Sequence, residues 1–264
     1  MTLALLALLL VVLALLLWRA VTRERRDYAR FKRLRSTGLR RKVFGRWIVE
    51  SWLVLGGLAG IVLLAAAPYV PLALADVRMW GPFTAVPYGT EGLAGLLAGF
   101  AIAALAVLVL PILLLRRRLD EVPAIGDIRA ILPRNRGELP YGAGLGLTAG
   151  VVEELLFRLA LPALLFGVLG SGPLAFGIAA LLFGALHLYQ GPLGILFAFV
   201  LGLLFTALYI VTGSILAPVA LHALIDLRSL VLIPIAIGGA WKQEAPARPA
   251  ARPAAASAPP PDAA

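Results

Sequence analysis

The chain has no cysteine among its 264 residues, which excludes a disulfide framework, a thiolate metal site and a cysteine nucleophile. Charge is scarce too: Asp, Glu, Lys and Arg make up 14% of the residues, against about 25% in soluble domains. Only two histidines occur, His187 and His222, and neither begins the HExxH spacing of a zinc peptidase helix, since LYQG follows the first and ALID the second. A serine mechanism lacks its usual setting, because Ser171 sits in a GSG turn and position 169 is Leu rather than Gly. No phosphate-loop or dinucleotide pattern appears among the glycines, and Gly144, Gly146 and Gly150 read instead as points where helices approach closely.

What the chain has in abundance is apolar length. Hydrophobic residues make up 61% and the mean hydropathy is +0.94, the composition of a polytopic membrane protein. The expected fold is all-α, a transmembrane helical bundle of about seven spans, or eight if Pro218 and Pro234 break the last. Thr2–Trp18 reads as an anchor, without the basic n-region or small-residue cleavage site of a signal peptide. Further spans are expected at Trp47–Val70, Gly92–Leu115, Tyr141–Leu169, 174–190, Gly191–Val211 and Ile215–Trp241. Residues 71–91 read as an ordered interfacial loop and 116–140 as a polar connector, with turns at Gly170–Pro173 and 212–214. Three regions follow: an N-terminal transmembrane region over 1–140, a catalytic helical core over 141–241, and a disordered Ala/Pro-rich tail over 242–264.

The net charge of +10 does not point to nucleic acid, because half of the 24 Lys and Arg lie within 19–46, directly after the first apolar run. That segment reads as a cytoplasmic, lipid-facing helical stretch whose apolar residues are too thinly scattered for a core. With the N-terminus outside and the C-terminus cytoplasmic, 21 basic residues fall in the inside segments and only Arg78 in an outside loop. The expected location is the plasma membrane, as a multi-pass protein partnered by membrane lipid.

The stretch VVEELLFR stands apart, because it puts Glu153, Glu154 and Arg158 inside a membrane-length apolar segment. Each such charge costs at least ~2.5–3.5 kcal/mol near a bilayer centre, so the three need partners or a purpose. His187, His222 and Asp226 also fall within apolar segments. At ~1.5 Å rise per residue across a ~30 Å core, these groups reach one slab slightly cytoplasmic of the middle. Glu154 and Arg158 are spaced to pair on one helix face, while Glu153 is rotated about 100° away and left available as a base. His222 and Asp226 share a face in the same way, and Phe183 reads as packing. Such a set activates water in one of two ways. Either His187, His222 and Asp226 hold a divalent metal, zinc being natural for nitrogen and oxygen donors, or the histidines and Glu153 orient and deprotonate water without one.

EELLFR at 153–158, FGALH at 183–187 and TGSILAPVALHALID at 212–226 together resemble the three motifs EExxxR, FxxxH and HxxxN or HxxxD of the CPBP intramembrane protease family, also called the CAAX-protease or Abi family. The resemblance covers about residues 130–230. It implies intramembrane metalloprotease-type endopeptidase chemistry on a membrane-associated, CAAX-like peptide or protein. It further implies Glu153 as the water-activating residue, His187 and His222 as metal ligands or water-orienting groups, and Glu154 and Arg158 in support. Asp226 stands where Asn is common; an ionised carboxylate does not donate to an oxyanion, so Asp226 is expected either to be protonated or to serve as a metal ligand or orienting group. Other functional classes that accommodate the buried cluster are a non-catalytic scaffold or immunity protein and a proton- or cation-coupled transporter.

Overall fold

The computed structural model describes residues 3–86, 88, 126–237, 239 and 240, with isolated positions between 94 and 109. The expected third span and the tail therefore lie largely or wholly outside the described residues. Everything described is helical or turn, without a strand. Among the described residues, four helices are long and apolar enough to cross a membrane: α1 (Leu3–Phe31), α2 (Thr37–Ala66), the stretch Leu188–Thr212 and α8 (Leu216–Ala236). Between α2 and the connector lie α3 (Tyr69–Arg78) and α4 (Gly81–Thr84). The charged helix α5 runs over 139–169, α6 is Gly172–Leu186 and α7 is Gly191–Thr212.

Two expectations about the spans and their loops need correction. Residues 71–91 are not simply a loop, because α3 continues through Pro71 and packs Ala73 and Val77 against Phe176, Tyr209 and Ile210. The fifth span does not extend to 190; α6 stops at Leu186 and a short 3-10 turn, Leu188–Gln190, follows His187. At 15 residues, α6 is about 22 Å long, short of a ~30 Å hydrocarbon core. The last span stays whole, as the seven-span reading has it, for α8 passes through both Pro218 and Pro234.

The basic segment differs most from its expectation. Residues 19–31 continue α1 and residues 37–46 begin α2, joined by a turn at 32–36, so the segment is the end of a hairpin. It also has a core: Tyr28, Phe31 and Phe44 are buried. Arg40 is fully buried with them; its Nε donates at 3.0 Å to both carboxylate oxygens of Glu138, and Nη1 and Nη2 donate to the carbonyls of Ala130 and Leu132. Its guanidinium lies 4.5 Å from the Phe31 ring centroid. Each guanidinium nitrogen of Arg40 thus has an acceptor, which is what makes a charge tolerable where water is absent. Asn135 adds a hydrogen bond to Thr37, and the connector is clamped to the hairpin.

The site depends on how closely α5 and α8 approach. Gly142, Gly146 and Gly150 are four residues apart and form one ridge of α5. A Cβ on Gly150 would sit 2.9 Å from the Ala223 backbone nitrogen, and one on Gly146 would sit 2.9 Å from Asp226 Cβ. Small residues at helical spacing let the two backbones meet, as in membrane helix pairs generally. Continuing the ridge by four and eight residues gives Glu154 and Arg158. Gly144 is off this ridge and faces Ile48 of α2.

Gly150→Ala is expected to lower the unfolding temperature in detergent, with the ~1–3 kcal/mol cost of overpacking. Gly57→Ala, with open space around it, should leave the temperature unchanged or raise it slightly. Thermal unfolding followed by circular dichroism compares the two. Equal melting of the Gly150 variant and the parent would contradict the close approach.

Candidate active site

Helix α5 supplies the two carboxylates on different faces. Glu154 and Arg158 are buried, at 0% and 1% exposure, whereas Glu153 is only partly covered and lines a cavity of about 470 Å³. The same cavity is lined by His187, Tyr189, His222 and Asp226. Among the described residues Glu153 has no hydrogen bond or ion pair. The six residues singled out in the sequence therefore fall into an inner group of Glu154 and Arg158 and a cavity-lining group of Glu153, His187, His222 and Asp226.

Glu154 joins the two groups. One of its oxygens accepts a 2.7 Å hydrogen bond from His222 Nδ1, and the other lies 3.0 Å from Arg158 Nε. The second contact is an ion pair too poorly aligned for a hydrogen bond, so the clean donation from Arg158 goes to the Gly202 carbonyl of α7 at 3.1 Å. The guanidinium also lies over aromatic faces, 4.5 Å from the Phe183 centroid and 5.3 Å from that of Phe205. An arginine so placed is held by charge, carbonyl and π-faces at once. Gly202 must be glycine-small, because a Cβ there would press on the Phe183 ring at 3.0 Å.

The two imidazoles are oriented by the same device from different sources. His187 follows the last residue of α6, and its Nδ1 donates at 2.8 Å to the Phe183 carbonyl, one of the carbonyls a helix end leaves without a partner. His222 Nδ1 donates to Glu154. In a neutral ring either arrangement leaves Nε2 as the acceptor nitrogen. Phe183 does more than pack: its carbonyl holds His187 while its ring stands edge-on to His222 at 6.0 Å. Phe205 stacks on His222 at 4.8 Å and Tyr189 on His187 at 6.2 Å. Tyr189, two residues past His187, was within reach of a sequence reading by adjacency. Gly202 and Phe205 carry no local signal.

Zinc would need three or four nitrogen or oxygen donors converging on one point. The imidazoles offer Nε2 in the manner of oriented metal ligands. Asp226, however, sits one turn from His222 with Oδ2 3.8 Å from its Nε2. Among the described residues no group of three or more His, Asp or Glu side chains is arranged to hold a metal ion. Among the described residues the cavity thus presents two imidazoles, to a metal ion or to a water molecule alike.

What the arrangement offers chemically is a carboxylate without a hydrogen bond or ion pair among the described residues, two imidazoles each held through Nδ1, and a cavity that both line. No curated protein and no solved structure matches the chain. Residues 135–228 do match a family model, described as type II CAAX prenyl endopeptidase, Rce1-like, and that segment includes all six site residues. That segment is thus similar to the CPBP/CAAX protease family.

Proposed function

We propose that this chain is an intramembrane endopeptidase that hydrolyses a peptide bond of a membrane-associated, CAAX-like peptide or protein with water activated by Glu153. The observation that carries this reading is the division of labour on α5. Glu154 is occupied on both oxygens by His222 and Arg158, while the adjacent Glu153 lines the cavity without a hydrogen bond or ion pair among the described residues. The match to an endopeptidase family over the segment holding all these residues adds independent support.

In the reaction, a water molecule lies between Glu153 and the Nε2 atoms. Glu153 takes its proton as the oxygen adds to the scissile carbonyl, then delivers that proton to the departing nitrogen as the C–N bond breaks. Glu154 holds His222 in place throughout, and the Phe183 carbonyl does the same for His187. The cavity reaches the hairpin end of α1 and α2, where the basic residues cluster. With that end on the cytoplasmic side, substrate approaches from the cytoplasm.

Glu153→Gln keeps the size of the side chain and removes the base. It is expected to cut turnover by roughly 10²–10⁴-fold without lowering the melting temperature. Comparative peptidomics of membranes holding the wild type or the variant would reveal fragments that disappear. Identical fragment profiles would refute a peptidase, and loss of ion-coupled uptake without any lost fragment would establish a transporter instead.

Metal content provides a separate check. Protein purified in mild detergent is expected to contain zinc well below one ion per chain, with no change on His187→Ala. One zinc per chain, lost in that variant, would establish the imidazoles as ligands and overturn metal-free activation.

A further inference from the structure

The cavity that holds Glu153 is not built from the matched segment alone. Its wall includes Arg19, Arg23, Glu24, Asp27 and Tyr28 of α1 and Glu50 of α2. Arg19 opens a π-helical turn, Arg19–Glu24, that packs against α6 and against the 3-10 turn following His187. Wider turns of this kind rotate side chains out of the regular helical register and are frequent at functional sites.

Arg19 is more than nine-tenths buried. Its Nη2 pairs with Glu24, but its buried Nε and Nη1 have no hydrogen-bond acceptor among the described residues. The other acids of the hairpin are taken: Asp27 and Glu50 each lie within ion-pair distance of both Arg23 and Arg46. No ion pair joins Arg19 to Glu153 or Asp226 among the described residues. A guanidinium withdrawn from water with two unsatisfied nitrogens is costly unless an anion completes it. Arg19 also lines the cavity shared with the base, so an anion bound there would meet this side chain.

Resting on the peptidase reading above, we propose that Arg19 is a subsite for a carboxylate of the substrate peptide, so that the N-terminal hairpin selects substrates by their negative charge. The carboxylate is either the peptide's free C-terminus or an acidic side chain near the cleaved bond. Glu24 competes for the same guanidinium and sets how strongly it attracts the substrate.

The test uses the full chain in detergent and three internally quenched, prenylated CAAX-type peptides: a free acid, its C-terminal amide, and the amide with Asp as last residue. For the wild type, KM for the free acid should lie below that for the plain amide; recovery of the low KM by the Asp-bearing amide would assign the subsite to a side chain. Arg19→Gln should shrink this free-acid preference by roughly tenfold or more, the worth of one lost charge-assisted hydrogen bond, and Arg19→Lys should restore part of it. Glu24→Gln should enlarge the preference. If Arg19 and Glu24 were only a structural pair, both neutral variants would move the preference in the same direction or leave it alone, and either result overturns the proposal. Absence of Glu153-dependent cleavage of all three peptides would overturn the peptidase reading together with it.

Discussion

A carboxylate without water, shared between an imidazole and a guanidinium, organises this molecule. Glu154 has no exposed surface, and its two oxygens are claimed by residues from different directions: His222 of α8 and Arg158 one turn along α5. Removing either partner would leave a buried charge short of compensation, typically at a cost of about 3–5 kcal/mol. That penalty makes the pairing specific. It fixes the rotation of α5 against α8 and, through the Arg158 donation to Gly202, the position of α7 as well. Glu153 is then directed into the cavity by helical geometry alone, because adjacent residues differ by about 100°.

The apolar scaffold serves this pairing through small residues and aromatic faces. The glycines at 142, 146 and 150 remove side chains where α5 meets α8, so that a short carboxylate reaches across. Phe183 and Phe205 enclose the guanidinium and both border the His222 ring. A second buried pair, Arg40 with Glu138, secures the connector before α5 to the hairpin end of α1 and α2. Glu138 stands at the start of α5 and Glu154, 16 residues on, at its middle.

Much of this was legible in the sequence because burying charge in an apolar run is costly and therefore rarely accidental. The spacing of Glu154 and Arg158 gave their pairing, and the offset of Glu153 gave its separate exposure. The turns at Gly170 and Gly213 were equally readable, since both glycines adopt the left-handed conformation that ends a helix, with φ of 69° and 67°. What stayed hidden were contacts between residues distant along the chain. Nothing local links Glu154 to His222, 68 residues later, or Arg40 to Glu138, 98 residues later. The basic segment misled for the same reason: twelve Lys and Arg read as a lipid-facing stretch without a core, and only the tertiary fold distinguishes Arg40 and Arg19 from the exposed ones. Proline was over-read, as both α3 and α8 run through it.

The central claim is that Glu154 and His222 act as one coupled unit across two helices. It is tested most directly by a double-variant cycle on unfolding temperature in detergent, with Glu154→Gln, His222→Gln and the two combined. The account predicts strong coupling, with the combined shift departing from the sum of the single shifts by the equivalent of ~0.5–3 kcal/mol. Shifts that add within ~0.3–0.5 kcal/mol would contradict it, because they would mean the two side chains do not interact.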